Sequence, residues 1–387
     1  MRQFSRLRAW QGAALLCAVL FLVSVAGYYE PEVGFTTLLG LAEDGHSWET
    51  PTLQAIPHHH NPPQHAYDGS QYVQLALHPL LRDPAIDRAL DNPAYRTRRI
   101  LFSWTAWAAG LGRPAWIVQA YAVQNIVLWF VLAAVMTRWL RPVSARRFAL
   151  WFAVMFSDGL LASVRLSLLD GPSMLLLVLA IAAAEVNRTW TSAAILGVAG
   201  LGRETNLLGA VSLPLPRDRR GWLRAACALV VVALPLLIWQ DYLWSIYRGS
   251  SASEGLSHIT PPLVAYARKW QTTLGGVAQL GLWSYQGRTL VIVIALTTQL
   301  GYLAWAARDW KDPWWRLAAA YAVLMLVVDY VVWEGTPGAV TRVVLPLTFG
   351  FNVLLRRETR AFWPWYVAGN LHLAGGLEML FDTVAGW

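Results

Sequence analysis

The sequence predicts an all-α, polytopic membrane protein. Three observations carry that reading: 56% of the 387 residues are hydrophobic and only 14% charged, mean hydropathy is +0.40, and apolar runs of spanning length recur along the chain. Soluble domains average about 45–50% apolar and about 25% charged residues, so an ordinary cytosolic domain is excluded. Cys17 and Cys227 both lie in apolar stretches and read as small buried hydrophobes, not as a disulfide or zinc framework.

Runs at 10–29, 115–140, 148–166, 171–186, 193–215, 223–244, 289–307, 317–333, 340–355 and 362–381 approach or reach spanning length, about 20 residues with tolerance for shorter packed helices. The first comes after Arg2, Arg6 and Arg8 and carries Ser24-Val25-Ala26 near its end. It fits a retained helix, the favoured reading, or a cleavable signal peptide, and either one exports the segment C-terminal to it. The 193–215 run is interrupted by Arg203-Glu204 and followed by Arg217, Arg219 and Arg220. Two half-helices turning at the Arg-Glu pair return those arginines to the cytoplasm. Counting the hairpin as two passes gives about eleven crossings, with a cytoplasmic N-terminus.

Charge tests this arrangement. It places 18 of the 31 basic residues inside but only five of the 23 acids, a split of +13 inside and −5 outside. The positive-inside rule is satisfied, so the basic character addresses the cytoplasmic face and nucleic acid drops out as a partner. The 22 tryptophans fit interfacial belts. Asn187-Arg188-Thr189 matches a glycosylation sequon but falls on the inner side.

Two exported segments, 30–112 and 245–287, exceed the length of connectors. The first is expected to be a folded cap. Asp68 and Gln71 stand at capping-box spacing before an apolar helix; Asp83-Pro84 opens a short helix that Pro93 ends; and 100–111, too short to span, is laid along the interface. His58, His59 and His60, with His65 and His46 nearby, read as a flexible His-rich loop, because Pro57, Pro62 and Pro63 break regular ligand spacing.

Ionisable groups at membrane depth are functional candidates by default. Near the outer helix ends these are Asp158, Arg165, Asp170, Arg203, Glu204, Asp241, Asp329, Glu334 and Arg342, joined by Arg96, Arg98 and Arg99 of the first exported segment. Arginines on the side that topology disfavours point to an anionic ligand, and a lipid phosphate is the anion available at that depth.

The constellation Tyr67-Asp68-Gly69-Ser70-Gln71-Tyr72, Asp91-Asn92-Pro93-Ala94-Tyr95-Arg96-Thr97-Arg98-Arg99, Asp170-Gly171-Pro172, Gly202-Arg203-Glu204-Thr205 and Thr341-Arg342-Val343-Val344-Leu345-Pro346 resembles the GT-C integral membrane glycosyltransferases. These include mannosyltransferases of glycolipid and GPI-anchor assembly and bacterial relatives that build surface glycopolymers. The resemblance runs from the first helix to about residue 355, through motifs that are individually short and weakly specific. It implies a GT-C-like bundle and transfer of a hexosyl or pentosyl group from a polyprenyl-phosphate donor to a glycan or glycolipid acceptor. The implied place is a bacterial inner membrane, with the site facing the periplasm or exterior.

By the same resemblance Asp68 matches the catalytic carboxylate, with Asp170 and Glu204 as further acids. Arg203 and Arg342, then Arg99, are assigned to the lipid phosphate, and Tyr67, Tyr72 and Arg96 to the rest of the substrate. Family members often carry a second acid near the first. Histidines precede Asp68 here, so a divalent metal is left open without support from spacing.

Each residue also has a plainer reading. Asp68 and Asp170 are placed to cap helices, Arg203-Glu204 to satisfy one another in a broken helix, and Arg342 to snorkel. The competing functions are a transporter or flippase of lipid-linked sugars, or a non-catalytic component of polysaccharide assembly. Transporters tend to show repeat-related halves with matching broken helices, and only one such break is evident here. No nucleotide-sugar signature is present, which also favours a lipid-linked donor.

Overall fold

The computed structural model describes residues 2–247, 259–305, 308–335 and 339–381. Among them the chain is helical, and isolated backbone bridges replace strands. Four helices are long and apolar enough to cross a membrane: the 9–26 part of Arg2–Ala26, Pro114–Leu140, Arg219–Ile246 and Tyr285–Trp305. A fifth arises if Ala145–Met155 and Asp158–Arg165, bent by 43° at 156–157, form one span.

The remaining apolar runs are not continuous helices. The 317–333 run is split into Pro313–Val327 and Tyr330–Trp333, 340–355 into Val340–Val343 and Leu345–Leu355, and 362–381 into Phe362–Gly369 and Leu373–Phe381. Hydropathy records apolar length, not unbroken hydrogen bonding. Pro346 lacks the amide that would continue the ladder to Arg342. At the last break Asn370 and Asn352 exchange side-chain hydrogen bonds of 2.9 and 3.1 Å.

Helix Arg219–Ile246 shows the lipid-facing pattern. Val230, Leu237 and Ile238 are each about 62% exposed, and exposed Trp222 and Trp244 mark its two ends. At 1.5 Å per residue these rings sit about 33 Å apart along the axis, near the thickness of the hydrocarbon layer. Cys227 is exposed on this helix and Cys17 half-buried, which corrects the expectation of two buried thiols: an apolar neighbourhood here means lipid as often as core.

The 193–215 run does turn back at Arg203. Helix Thr189–Gly202 ends there and the return arm, Glu204–Ser212, is a 3-10 helix. Asn206 donates to the Ala199 carbonyl at 2.8 Å, and Arg316 closes the far end by donating to the carbonyls of Val211, Ser212 and Leu213.

Residues 30–112 pack around Leu39, Leu53, Val73, Leu75, Ile86 and Ile100, all essentially inaccessible, and this core continues onto Tyr121 and Ala122 of Pro114–Leu140. Pro93 opens a helical turn, Pro93–Arg96, where the sequence suggests a helix end; Asn92 caps it by accepting from the Tyr95 amide at 3.1 Å. The segment 245–287, expected to be a loop, contains the helix Val264–Leu280, and its 248–258 part lies outside the described residues.

The bundle has two chemically distinct ends. Helix Asp170–Glu185 runs between them, about 22 Å from first to last residue. Around Glu185 gather Arg138 at 3.3 Å, Trp139, Arg147 and Arg356, while Arg357 binds Asp309 and Asp312 nearby. Around Asp170 lies the candidate site.

Candidate functional site

Asp170 stands in the first turn of its helix, where the N-terminal dipole favours an ionised carboxylate. Leu169 takes the N-cap position and Asp170 the first helical one, so the capping alternative does not describe Asp170. Its carboxylate instead receives Arg203, from the turn of the hairpin, and Arg342 Nη1 at 3.3 Å. Arg342 is 8% exposed and also donates from Nη2 to the Tyr67 hydroxyl at 2.6 Å. Snorkelling therefore does not describe Arg342, which points into the protein.

Arg203 and Glu204 do not satisfy each other. Glu204 accepts from Arg99 Nε at 2.9 Å, across 105 residues of chain. Arg99 also donates to the hydroxyls of Tyr95 at 2.5 Å and Tyr72 at 3.4 Å. Burial works against the Arg99 charge, but Glu204 and the two tyrosines outweigh it, and its pKa is raised.

Asp68 begins the helix Gly69–Leu77 with backbone angles already helical, φ −56° and ψ −24°. Its side chain makes no cap, because that backbone turns the carboxylate away from the following amides. The capping box is absent too: Gln71 accepts from the Asp91 amide at 3.2 Å instead. Asp68 Oδ1 lies 2.9 Å from Arg96 Nη2, and Arg96 is held by Asp91 through two hydrogen bonds of 2.9 and 2.7 Å. Gly69 lets this turn approach the 166–168 link, since a Cβ there would stand 2.5 Å from the Leu166 carbonyl oxygen.

These elements wall a cavity of about 460 Å³. On its polar side are Asp68, Arg96, Arg98, Arg99, Asp170, Arg203, Glu204 and Arg342, five guanidinium groups against three carboxylates. The same cavity is also lined by Leu324, Val328, Val331 and Val332. Arg203 Nε and Glu204 Oε1 are buried with no hydrogen-bond partner among the described residues, and in native proteins such groups call for a ligand or water. Arg98, half-buried, has no carboxylate partner among the described residues. The arrangement suits a ligand with an anionic head and an apolar portion.

Of the residues singled out in the sequence, the structure brings Asp68, Tyr72, Arg96, Arg99, Asp170, Arg203, Glu204 and Arg342 to one cavity, with Tyr67 bound to Arg342. Asp158 is sealed beneath the Val340–Val343 turn, where a Cβ on Gly159 would meet the Thr341 carbonyl oxygen at 2.3 Å. Arg165 donates to the Met379 carbonyl and borders a separate apolar pocket. Asp241 and Glu334 are exposed, and neither they nor Asp329 lines the cavity.

Tyr95 has no role assigned from sequence: Arg99 lies beyond the Pro93–Arg96 turn, so no helical spacing signals that the two side chains meet. Glu49 has no signal in the sequence at all. It is buried against His58 and His60, which corrects the expectation of a flexible histidine loop, and the three side chains converge closely enough to hold a metal ion. Burial raises the Glu49 carboxyl and lowers the His58 imidazole, but their mutual contact reverses both, so Glu49 is held low and His58 high.

Comparison of the chain with protein-family models, curated proteins and solved structures gives no match.

Proposed function

We propose that this chain is a GT-C-type membrane glycosyltransferase, carrying a hexosyl or pentosyl group from a polyprenyl-phosphate donor to a lipid-linked or cell-surface glycan acceptor. The observation that carries the reading is the cavity in which guanidinium groups outnumber carboxylates and share the lining with aliphatic side chains. A lipid phosphate needs both surfaces, and fixed positive charge in a water-poor site is worth several kcal/mol to a leaving phosphate, an order-of-magnitude figure.

In this reading the acceptor hydroxyl attacks the anomeric carbon, the bond from that carbon to the phosphate oxygen breaks, and Asp68 takes the hydroxyl proton. Polyprenyl phosphate leaves with its charge against Arg203, Arg342 and Arg99, with Arg98 a further contact. Tyr72 and Arg96 border the sugar subsite, and Tyr67 positions Arg342. Asp170 receives two guanidinium groups, so it orients arginines rather than accepting a proton. Glu204, with one oxygen unengaged, is the second candidate base.

The two ends of the bundle support a location for this chemistry. In this reading the basic cluster around Glu185 lies at the cytoplasmic face, and Asp170 and the cavity lie toward the opposite face of a bacterial inner membrane. The same reading counts the broken apolar segments with the long helices as about eleven passes, with 30–112 and 245–287 on the non-cytoplasmic side.

The test is a donor panel with the purified full chain in liposomes. Transfer to an acceptor from a polyprenyl-phosphate sugar, and not from nucleotide sugars, is expected. Movement of the lipid-linked sugar between leaflets without transfer would overturn the reading in favour of a flippase.

A further inference from the structure

Glu49, His58 and His60 lie outside the arginine cavity, and none of them lines it. Glu49 Oε1 is 3.3 Å from His58 Nε2 and 3.0 Å from His60 Nε2, and the two Nε2 atoms are 3.1 Å apart. In a tetrahedral zinc site with ligands at about 2.0–2.1 Å, neighbouring ligand atoms stand about 3.3–3.4 Å apart. The triangle is within a few tenths of an ångström of that edge length.

Proton placement at these atoms favours a cation. His58 Nδ1 is 2.7 Å from the Ile56 carbonyl oxygen, which only accepts, so Nδ1 carries the hydrogen. In the neutral ring, Nε2 then presents a lone pair toward Glu49, whose carboxylate also only accepts. Two lone pairs then face each other unless a proton on Nε2 or a metal cation lies between them, and either one fills the same gap. Donation of the distal imidazole N–H to a backbone carbonyl is also how metal-ligating histidines are usually oriented.

The ligand-bearing backbone is held in advance. Thr50, next to Glu49, donates its amide to Gln74 Oε1 at 2.8 Å; the His59 amide donates to Thr36 Oγ1 at 2.9 Å; and Asn61 pairs with Leu41 and Glu43. The Glu49 and His58 side chains are each 3% exposed and that of His60 28%, leaving one open side for a water or further ligand. Glu49 also borders a cleft shared with Asp44 and Asp91, a negative approach for a cation.

We infer that Glu49, His58 and His60 form a binding site for one zinc-class divalent ion in the 30–112 segment, with a fourth position open to solvent. The ion would cross-link Glu49 to the 58–61 segment, whose backbone at His59 and Asn61 bonds to residues 36–43, and these in turn accept the Tyr67 amide through the Gly40 carbonyl at 3.1 Å. This site does not depend on the proposed transferase chemistry.

The experiment uses the full chain, freed of any histidine tag, stripped with chelator, incubated with zinc and desalted. Metal analysis is expected to give one zinc per chain, and X-ray absorption at the zinc edge two imidazole ligands with an oxygen donor. Glu49→Gln and His58→Gln should each weaken zinc binding by on the order of 10²-fold or more, while His65→Gln and His78→Gln leave it unchanged. Absence of stoichiometric zinc on the wild-type chain, a zinc spectrum without two imidazoles, or equal binding by the Glu49 and His58 variants would each overturn the site. The absorption measurement needs no variant, so it decides even if a substituted chain fails to fold.

Discussion

Arg342 and Asp170, 172 residues apart in the chain, meet at 3.3 Å beside a second guanidinium from Arg203. That meeting joins the start of the Asp170–Glu185 helix, the hairpin turn and the short Val340–Val343 helix at one point. Because Arg342 also holds the Tyr67 hydroxyl, its planar fork serves two partners at once. Lysine keeps the charge but not the fork. Arg342→Lys and Arg203→Lys are therefore expected to lower transfer from a lipid-linked donor by about tenfold or more while the protein remains inserted, since a hydrogen bond to a charged group is worth about 1.5–3 kcal/mol. Wild-type donor kinetics in both variants would remove phosphate contact from these side chains.

The Arg99–Glu204 pair gives a stability prediction. Leaving Arg99 buried without its carboxylate is costly, and breaking such a pair costs about 3–5 kcal/mol when it is fully buried. Glu204 is partly exposed, so the lower part of that range or less is expected for Glu204→Gln, seen as a fall in Tm in detergent. Replacing both residues with apolar ones should recover much of the Tm but not activity. Equal Tm for wild type and the single variant would show that Arg99 finds another partner.

Gly69 predicts a steric effect. A Cβ would meet the Leu166 and Leu39 carbonyl oxygens at 2.5 and 2.8 Å, and neither is the end of a flexible side chain. Gly69→Ala should destabilise by about 1–3 kcal/mol, an overpacking cost, and shift Asp68 away from the cavity. A Tm equal to that of the wild type would contradict the close approach.

The acid limb of stability should report Asp91. Burial raises its carboxyl, but hydrogen bonds and charge from Arg96, with Gln71 assisting, outweigh that and hold it below the usual carboxylate range. A depressed folded-state pKa stabilises above the unfolded value, about 3.9, and that stability is lost as pH falls through the lower folded value. Between pH 5 and 3 the wild type should lose more Tm than Asp91→Asn. Parallel curves would place no protonation-linked stability on this pair.

The parts of the fold legible in the sequence are those set by local chemistry. Apolar length locates the long helices, and Arg203-Glu204 inside an apolar run marks the hairpin, because a charged pair at that depth is costly without a turn. The breaks at 328–329 and 370–372 are hidden in runs of apolar length, and only Pro346 gives the break at 344 a sign in the sequence. The capping readings of Asp68 and Asp170 fail because Asp68 already has helical backbone angles and Asp170 follows the N-cap position, which leaves both carboxylates to Arg96, Arg203 and Arg342 from distant elements. Glu49 is invisible for the same reason: its partners lie nine and eleven residues on, past Pro51 and Pro57, with no periodic spacing to signal contact.

The most direct test concerns Asp68, the proposed proton acceptor. Its carboxylate is 37% exposed and makes one ion pair with Arg96, which keeps its second partner Asp91, so the pair adds about 1 kcal/mol or less to stability. Asp68→Asn preserves shape and removes the base. Sugar transfer from a polyprenyl-phosphate donor, measured beside Tm on the same purified chain, should fall by on the order of 10²-fold or more with Tm nearly unchanged. A stable Asp68→Asn protein that transfers sugar at the wild-type rate would contradict the account.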